Sequence, residues 1–306
     1  MSRTHRTSVD ELDAFEQVRP DLLRLAYRMT GGRAEAEDIV QDAWLRWNRA
    51  DTSEVINPKA WLSRTVARLS IDHLRKVKTR RETYVGPWLP EPVATDMPTP
   101  TPEDPGHAVE LAQDVSLALM SVFETLKPEE RAAFLLREAF DMDYGNLAST
   151  LGKNEDACRQ MVSRAKARLR ANRPRFEATD EEHERLLIAF ATAAQAGDLS
   201  ALTRLLTPNA SLTSDGGGKA TAALRVLHGA EEVAKVVAHI SVNADALKGD
   251  ITPLRINNRP GFYILLEGKI EVCYSIDVED GRIAALYIMR NPDKLQRLLD
   301  PPLGNA

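Results

Sequence analysis

The chain has 306 residues, 43% of them hydrophobic and 28% charged, a balance typical of globular proteins with apolar cores. Its length predicts two or three domains, and its formal net charge of −5 argues against a generic polyanion binder. No apolar run approaches the roughly 18–20 residues of a membrane helix, and the N-terminus lacks the apolar centre of a signal peptide, which together predict a cytoplasmic protein. Cys158 and Cys273 fit no metal-ligand spacing, so we expect structural thiols and no metal or cofactor.

Residues 8–82 show helical periodicity throughout. Asn57-Pro58 predicts a helix start, because proline suits the first helical position. Residues 64–82 hold seven Lys or Arg against two acids. Such a cluster is either a solvated helix face or a surface for nucleic acid, and screening makes this local patch more relevant than the total charge.

A proline-rich segment interrupts this pattern. The stretch YVGPWLPEPVATDMPTPTPEDPG, residues 84–106, contains seven prolines. Proline lacks a backbone donor and is excluded from helix interiors and central strands, so residues 83–106 are predicted to form an extended linker.

Helical patterns return over residues 107–175 and include a predicted helix-turn-helix at 143–170, with its break at Gly152-Lys153. Apolar residues of the second helix recur at helical spacing from Cys158 to Leu169. In a helix-turn-helix the second helix enters the major groove, where Arg and Gln read base edges and later Lys or Arg suit phosphates. A plain α-hairpin in a bundle fits the same pattern. The residues predicted to contact DNA are the helix cap and the polar face: Asn154, Arg159, Gln160, Ser163, Arg164 and Lys166.

Residues 176–306 change from helices to strands. Helices are predicted up to Gly197, up to about Leu206, and near residues 229–240. Apolar and polar residues alternate over 269–278, which predicts a half-buried strand, and Asp280-Gly281 predicts a hairpin turn into the next strand. Helices followed by an antiparallel sheet indicate an α+β domain.

Four separated motifs resemble the extracytoplasmic-function sigma factors of bacterial RNA polymerase. They are RPDLLRLAYRMTG (19–31), AEAEDIVQDAWLRW (34–47), NPKAWLSRTVARLSIDHLRK (57–76) and the stretch from LKPEER to KARLR (126–170), in the order of the family. The resemblance implies a multidomain fold that begins with two all-α modules, at 8–82 and 107–175. It also implies two partners, core RNA polymerase and promoter DNA.

The resemblance assigns a role to each module. Residues 34–47 look like the segment that docks on the polymerase clamp, with contacts from Asp38, Gln41, Asp42 and Leu45. The 57–76 segment looks like the part that recognises the −10 element, where an unpaired strand needs a basic groove and aromatic stacking. Its candidate contacts are Trp61, Arg64, Arg68, Arg75 and Lys76, although helical spacing also fits Trp61 to the core. The helix-turn-helix would read the −35 element as duplex.

Residues 181–297 resemble a SnoaL-like domain, a cone of curved sheet closed by helices around a pocket, followed by a tail at 298–306. Three motifs match a sigma-factor group that carries this fused domain: WLPEP (88–92), DGGGK (215–219) and NPDKL (291–295). The resemblance makes the NPDKL segment a candidate for docking onto the sigma modules.

We hypothesise that the DGGGK loop contacts the WLPEP linker and fixes the spacing of the two DNA-binding modules. Three glycines let the backbone approach a partner closely, and a proline-rich segment loses little entropy on docking. A simple strand-end turn is the alternative for DGGGK. The predicted interdomain contacts are Trp88, Leu89, Pro90, Glu91, Asp215, Gly216, Gly217, Gly218, Lys219, Asn291, Pro292 and Lys294.

A second functional class remains open from the sequence, a DNA-binding regulator whose pocket senses or converts a small molecule. Asp215, His228 and His239 are the nearest acid or base candidates, but no Asp–His pair has a readable spacing, so we predict no enzyme activity. No separate anti-sigma partner can be identified from the sequence.

Overall fold

The computed structural model describes residues 3–51, 55–81, 83–95, 116–171, 178–243 and 249–301. The predicted linker residues 96–106, the flanking segments 107–115 and 172–175, and the tail residues 302–306 lie outside the described ranges. In the described ranges, no helix combines the length and apolar character that crossing a membrane requires.

Three helices form the first module: α1 (Arg3–Thr30), α2 (Arg33–Arg49) and α3 (Pro58–Arg81). The Asn-Pro pair starts α3 as predicted, since Asn57 Oδ1 accepts a hydrogen bond from the Ala60 N–H at 3.0 Å. The helices bury one apolar face each, and Leu22, Trp47 and Leu62 lie in their shared core.

The second module contains α4 (Leu117–Phe123), α5 (Pro128–Glu138), α6 (Tyr144–Leu151) and α7 (Glu155–Ala171). Gly152 ends α6 in the left-handed conformation, with φ of 64°, and Asn154 Oδ1 caps α7 by accepting from Ala157 N–H at 2.8 Å. The predicted helix-turn-helix is confirmed in α6 and α7. Its apolar stripe is buried, and the buried residues of both modules form one contiguous cluster.

The C-terminal domain is a six-stranded sheet with helices on one face. Its helices are α8 (Asp180–Gln195), α9 (Leu199–Leu205) and α10 (Ala230–Asn243). Its strands are β1 (Leu206–Asp215), β2 (Leu227–His228), β3 (Asp250–Ile256), β4 (Arg259–Leu266), β5 (Lys269–Glu279) and β6 (Arg282–Met289). The strand order is β2-β1-β6-β5-β4-β3, with β1 and β6 parallel and all other neighbours antiparallel. A short helix, α11 (Pro292–Leu295), follows β6. The predicted order of two helical modules and an α+β domain is confirmed.

The prediction that residues 269–278 form a half-buried strand is wrong in one respect, because β5 is buried on both faces. Ile276 packs under the helices, whereas Cys273 packs on the opposite face against Leu89 of the linker and Leu298 of the tail. Leu117 of the second module joins this second cluster, so the sheet contacts the linker, the tail and the second module through one apolar surface. The Asp280-Gly281 turn lies where it was predicted, with positive φ at both residues.

Candidate functional site: the interdomain surfaces

Four exposed residues form a stripe along α2. Asp38, Gln41, Asp42 and Leu45 lie at positions i, i+3, i+4 and i+7, which places them on one helical face. Leu45 is 40% exposed and adds an apolar side chain to this polar face. The stripe predicted to contact polymerase is therefore accessible in this structure, and we refer to it as the α2 stripe.

The arginines predicted to contact the −10 element lie on α3 and face the second module. Arg64 Nη2 donates to Asn146 Oδ1 at 3.1 Å. Arg68 donates through Nε to the Thr150 carbonyl at 2.9 Å and through Nη2 to the Ser149 carbonyl at 2.8 Å. These carbonyls belong to the last turn of α6, where the helix itself offers no donor.

The remaining −10 candidates divide between exposed and packed positions. Arg75 Nη2 pairs with Glu129 Oε1 on α5 at 2.6 Å, and its Nη1 pairs with Asp72 Oδ1 at 3.5 Å. Lys76 is exposed. Trp61 is half-buried and packs edge-on against Trp47, with ring centroids 5.3 Å apart.

The −35 candidates on α7 are exposed or held in ion pairs. Gln160 and Ser163 are exposed, and Arg159 pairs with Glu155 at 2.9 Å while lying 4.6 Å over the Tyr144 ring. Because this pair is solvent-exposed, it is worth no more than about 1 kcal/mol and can exchange for a phosphate contact. Arg164 and Lys166 pair with two acids of α5, Glu130 and Glu138 respectively, at 3.3 and 2.9 Å.

Asp215 is the centre of a buried site between the sheet and the linker. The residue ends β1 and has no exposed surface. Its carboxylate accepts hydrogen bonds from Tyr84 Oη at 2.6 Å, the Leu89 N–H at 2.8 Å and Lys294 Nζ at 2.7 Å. A fourth bond comes from the Gly217 N–H at 3.0 Å. A buried carboxylate needs such a donor set, because burial of an unpaired charge is strongly unfavourable.

Lys294 closes this site from α11. Its ammonium group pairs with Asp215, donates to the Leu89 carbonyl, and lies 4.3 Å over the Trp88 ring and 5.1 Å over the Tyr84 ring. Cation–π contacts of this kind are attractive because the ring face is negative. We call Tyr84, Trp88, Leu89, Asp215 and Lys294 the linker site. Burial, followed by the hydrogen bond to Asp215, raises the pKa of Tyr84 well above its usual value, so the phenol stays a donor at neutral pH.

The glycines of the DGGGK loop leave room for α11. Gly217 has φ of 59°, and a Cβ there would lie 2.3 Å from Asn291 Nδ2. Gly218 packs against Val85 of the linker, while Lys219 pairs with Asp293 on the surface. The loop is thus both the turn after β1 and a contact surface for the linker.

The NPDKL segment (291–295) contacts the linker. Asn291 Nδ2 donates to Tyr84 Oη at 2.9 Å, and Pro292 takes the first position of α11. The expectation that this segment docks on the sigma modules stays a prediction. Leu295 lies in the apolar cluster that includes Leu117 of the second module, and Arg297, just beyond the motif, pairs with Glu37 of the first module.

The linker also contacts the first module. Trp88 packs on Gly31, where any Cβ would approach within 2.4 Å of the indole ring. Glu91 is buried, its backbone N–H donates to the Gly31 carbonyl, and its Oε2 accepts from the Arg33 N–H at 2.7 Å. Burial raises the pKa of Glu91, and the backbone donor from Arg33 partly offsets this effect. Pro90 is buried beside these residues.

Two contacts between the C-terminal domain and the first module were not predicted. Asn257, fully buried at the tip of the β3–β4 hairpin, donates through Nδ2 to Tyr27 Oη at 2.7 Å and accepts from the Val93 N–H at 3.1 Å. Arg297 pairs with Glu37 at 2.8 Å. The Asn257-Asn258 pair is a recognisable left-handed turn signal, whereas nothing in the sequence marks Tyr27 or Glu37 as partners.

The candidate catalytic groups do not come together among the described residues. Asp215 belongs to the linker site, and His228 and His239 are exposed. A cavity of about 20 Å³ lies between α8, α10 and the sheet, and Phe190, Val237 and Tyr274 contribute to its mainly apolar lining. That volume holds about one water molecule.

Comparison with known proteins identifies both helical modules. A Sigma-70 region 2 model matches residues 14–81, and a Sigma-70 region 4 model matches residues 116–169. The chain is 38% identical over 293 residues to the ECF RNA polymerase sigma factor SigJ of Mycobacterium tuberculosis (strain ATCC 25618 / H37Rv), covering 93% of each protein. It is 28% identical over 288 residues to the probable ECF RNA polymerase sigma factor SigI of Mycobacterium tuberculosis (strain CDC 1551 / Oshkosh), covering 93% of this chain and 94% of that one.

The similarity to SigJ extends to three dimensions. The crystal structure of the Mycobacterium tuberculosis protein superimposes with a TM-score of 0.72 at 35% identity, covering 93% of this chain and 98% of that chain. The match therefore includes the C-terminal sheet domain together with the two helical modules.

Proposed function

The chain belongs to the extracytoplasmic-function (ECF) RNA polymerase sigma factors, and we propose that it directs initiation through three surfaces under the control of its own C-terminal domain. The α2 stripe binds core RNA polymerase. The basic face of α3 binds the −10 element, and the exposed face of α7 binds the −35 element.

The exposure pattern supports this assignment of surfaces. Asp38, Gln41 and Asp42 are exposed polar residues beside the exposed Leu45, a combination suited to a protein partner with a mixed polar and apolar surface. The basic residues of α3 and α7 suit phosphate contacts, which fix a protein on DNA, and the exposed Gln160 of α7 is our candidate for a base-edge contact.

The buried linker site carries the regulatory part of the proposal. Because Asp215 binds the linker backbone at Leu89 and the linker continues into the second module, the C-terminal domain fixes where the linker leaves the first module. The same apolar surface of the sheet holds Leu89 of the linker and Leu117 of the second module, so in our proposal this domain constrains both modules. The sheet domain acts in our proposal through binding alone, by the contacts that Asp215 and Lys294 make with the linker.

Reconstitution with core polymerase tests the proposed function. The full-length chain should co-elute with core polymerase, and the mixture should initiate from discrete sites on total genomic DNA of the source organism. The Asp38→Ala, Asp42→Ala double variant should lose binding by at least about tenfold, since two contacts of about 1 kcal/mol or more are removed. The Asp13→Asn, Glu16→Gln variant of α1 removes the same charge from exposed positions and should bind normally. Co-elution that is unchanged by the α2 substitutions would refute the assignment of this stripe.

A further inference from the structure

Two arginines from different helices contact the ring of Tyr144, the first residue of α6. The guanidinium carbon of Arg159 on α7 lies 4.6 Å from the ring centroid, and that of Arg137 on α5 lies 5.2 Å from it. A cation over an aromatic ring is attracted by the negative charge of the ring face. The ring therefore joins α5, the start of α6 and the start of α7 through side-chain contacts.

The position of Tyr144 is fixed by its surroundings. Its side chain is half-buried and packs against the apolar core of the helical modules. The preceding residue, Asp143, caps α6 by accepting a hydrogen bond from the Asn146 N–H at 2.8 Å, which fixes the backbone at Tyr144 as well. Arg137 also donates to the Met142 carbonyl at 3.1 Å, so the ring is tied to the turn before α6. A ring held in this way is a rigid platform for a flexible partner.

Arg159 is restrained in two ways, and only one of them uses its N–H groups. Glu155 accepts a hydrogen bond from Nη2 at 2.9 Å, but both side chains of this pair are about half exposed. An exposed ion pair is weak, so DNA can replace the carboxylate. The Tyr144 ring instead contacts the face of the guanidinium group, whose N–H donors lie in its own plane. The stack can therefore persist while those donors bind DNA.

The stack suits a base edge as the DNA partner of Arg159. In a helix-turn-helix the N-terminal residues of the second helix reach base edges in the major groove, and Arg159 is the fifth residue of α7. Recognition of guanine needs two N–H donors aimed at O6 and N7, so it depends on the orientation of the guanidinium plane. An arginine that already lies against a ring also loses less side-chain entropy on binding.

We propose that Tyr144 is a positioning residue for sequence recognition at the −35 element, where its ring orients the Arg159 guanidinium group to select guanine at one base pair. The proposal rests on the proposed function of α7 and adds the residue that sets how strongly this base pair is discriminated. Tyr144 acts through Arg159 and contacts no base itself.

Selection from a randomised −35 element tests this role. Reconstituted polymerase binds a library of the promoter mapped with the wild-type chain, and sequencing of the bound templates gives the base preference at each randomised position. Arg159→Ala should reduce a guanine preference at one position by about ten- to a hundredfold. Tyr144→Ala should reduce the preference at the same position by about three- to tenfold and leave the other positions unchanged. Tyr144→Phe keeps the ring and should match wild type.

A double-mutant cycle separates positioning from an independent contact. Because the ring acts through the arginine, the Tyr144→Ala, Arg159→Ala variant should show the same base preferences as Arg159→Ala alone. Phe140→Ala is the matched control, since it removes another half-buried ring of the same module, which lies 5.6 Å from Lys59 Nζ. Lower stability of the module should reduce total binding in this control, but the guanine preference should match wild type.

The outcomes separate this inference from the proposed function. If Tyr144→Ala weakens binding equally for all base pairs, or if its effect multiplies with that of Arg159→Ala, the positioning role is refuted. Equal losses in Tyr144→Phe and Tyr144→Ala would also refute it, because they would assign the effect to the hydroxyl group. If the wild-type complex shows no preference anywhere in the randomised element, the proposed function of α7 fails and this inference fails with it.

Discussion

Replacing Asp215 with alanine should release the linker from the C-terminal domain. The substitution removes a fully buried carboxylate and the acceptor for four donors. The Lys294 side chain is only 14% exposed, so its ammonium group keeps most of its burial and loses its counter-ion. The Leu89 N–H, also buried, loses its acceptor.

The expected size follows from the burial of the pair. Removing one partner of a buried ion pair is unfavourable by about 3–5 kcal/mol, because the other charge is left unpaired. The exposed Lys219–Asp293 pair in the same region has both side chains 56% exposed. Its loss in Asp293→Asn should be worth at most about 1 kcal/mol, which makes that variant a matched control.

Hydrogen exchange at the Leu89 amide measures this effect locally. A loss of about 3–5 kcal/mol of opening free energy should speed exchange by roughly two to three and a half orders of magnitude, or bring it to the unprotected rate. Lys294→Met added to Asp215→Ala removes the buried ammonium group that has lost its carboxylate partner, and should restore part of the protection. Exchange within about threefold of wild type in Asp215→Ala would show that the carboxylate does not hold the linker.

Three further variants probe the other contacts. Gly217→Ala should destabilise the DGGGK loop by more than Gly268→Ala in urea unfolding, because both glycines have positive φ but only the first meets another side chain. Asn257→Gly keeps the left-handed turn but removes the side-chain amide that bonds Tyr27 and the Val93 N–H of the linker. We expect a loss of about 1–3 kcal/mol in the free energy that holds the linker, so a protease should cleave its described part, 83–95, faster than in wild type. Burial opposes ionisation of Glu37, but hydrogen bonds from its two arginine partners outweigh burial and lower the pKa of Glu37. The contribution of the ionised Glu37 side chain to stability is therefore present above about pH 4.5 and is lost as the pH falls through the lowered pKa. Acid titration followed by circular dichroism should therefore show a shallower loss of stability in Glu37→Gln than in wild type; superimposable curves would contradict this reasoning.

The helical modules were predictable because their signals are local. The apolar stripe from Cys158 to Leu169, the break at Gly152 and the cap at Asn154 all lie within one short segment, and the structure places each as expected. Helical periodicity and capping depend on neighbours in the chain, so one sequence is enough to recognise them.

The faces of the sheet were less predictable because their burial depends on distant segments. Alternation along β5 predicts one apolar and one polar face, yet Cys273 and Ser275 on the second face are also buried. The linker, the tail and Leu117 cover that face, and no pattern within β5 records their presence.

The linker site was anticipated only in outline. The motifs predicted a contact between the DGGGK loop and the WLPEP segment, but not the pairing of Lys294 with Asp215, the donor role of Tyr84 or the cation–π contacts. Likewise, a basic face on α3 was predicted, whereas its engagement by the second module requires the positions of helix ends from two separate modules. Contacts of this kind arise from tertiary geometry rather than from spacing.

Run-off transcription by reconstituted polymerase tests most directly whether the C-terminal domain controls initiation through the linker site. A promoter mapped with the wild-type chain would be transcribed with wild type, Asp215→Ala and Asp293→Asn at equal occupancy of polymerase. We expect the Asp215 variant to change the amount of transcript several-fold and the Asp293 variant to match wild type. Equal transcript from all three, with the Leu89 amide deprotected in the Asp215 variant, would show that the released linker has no influence on promoter use.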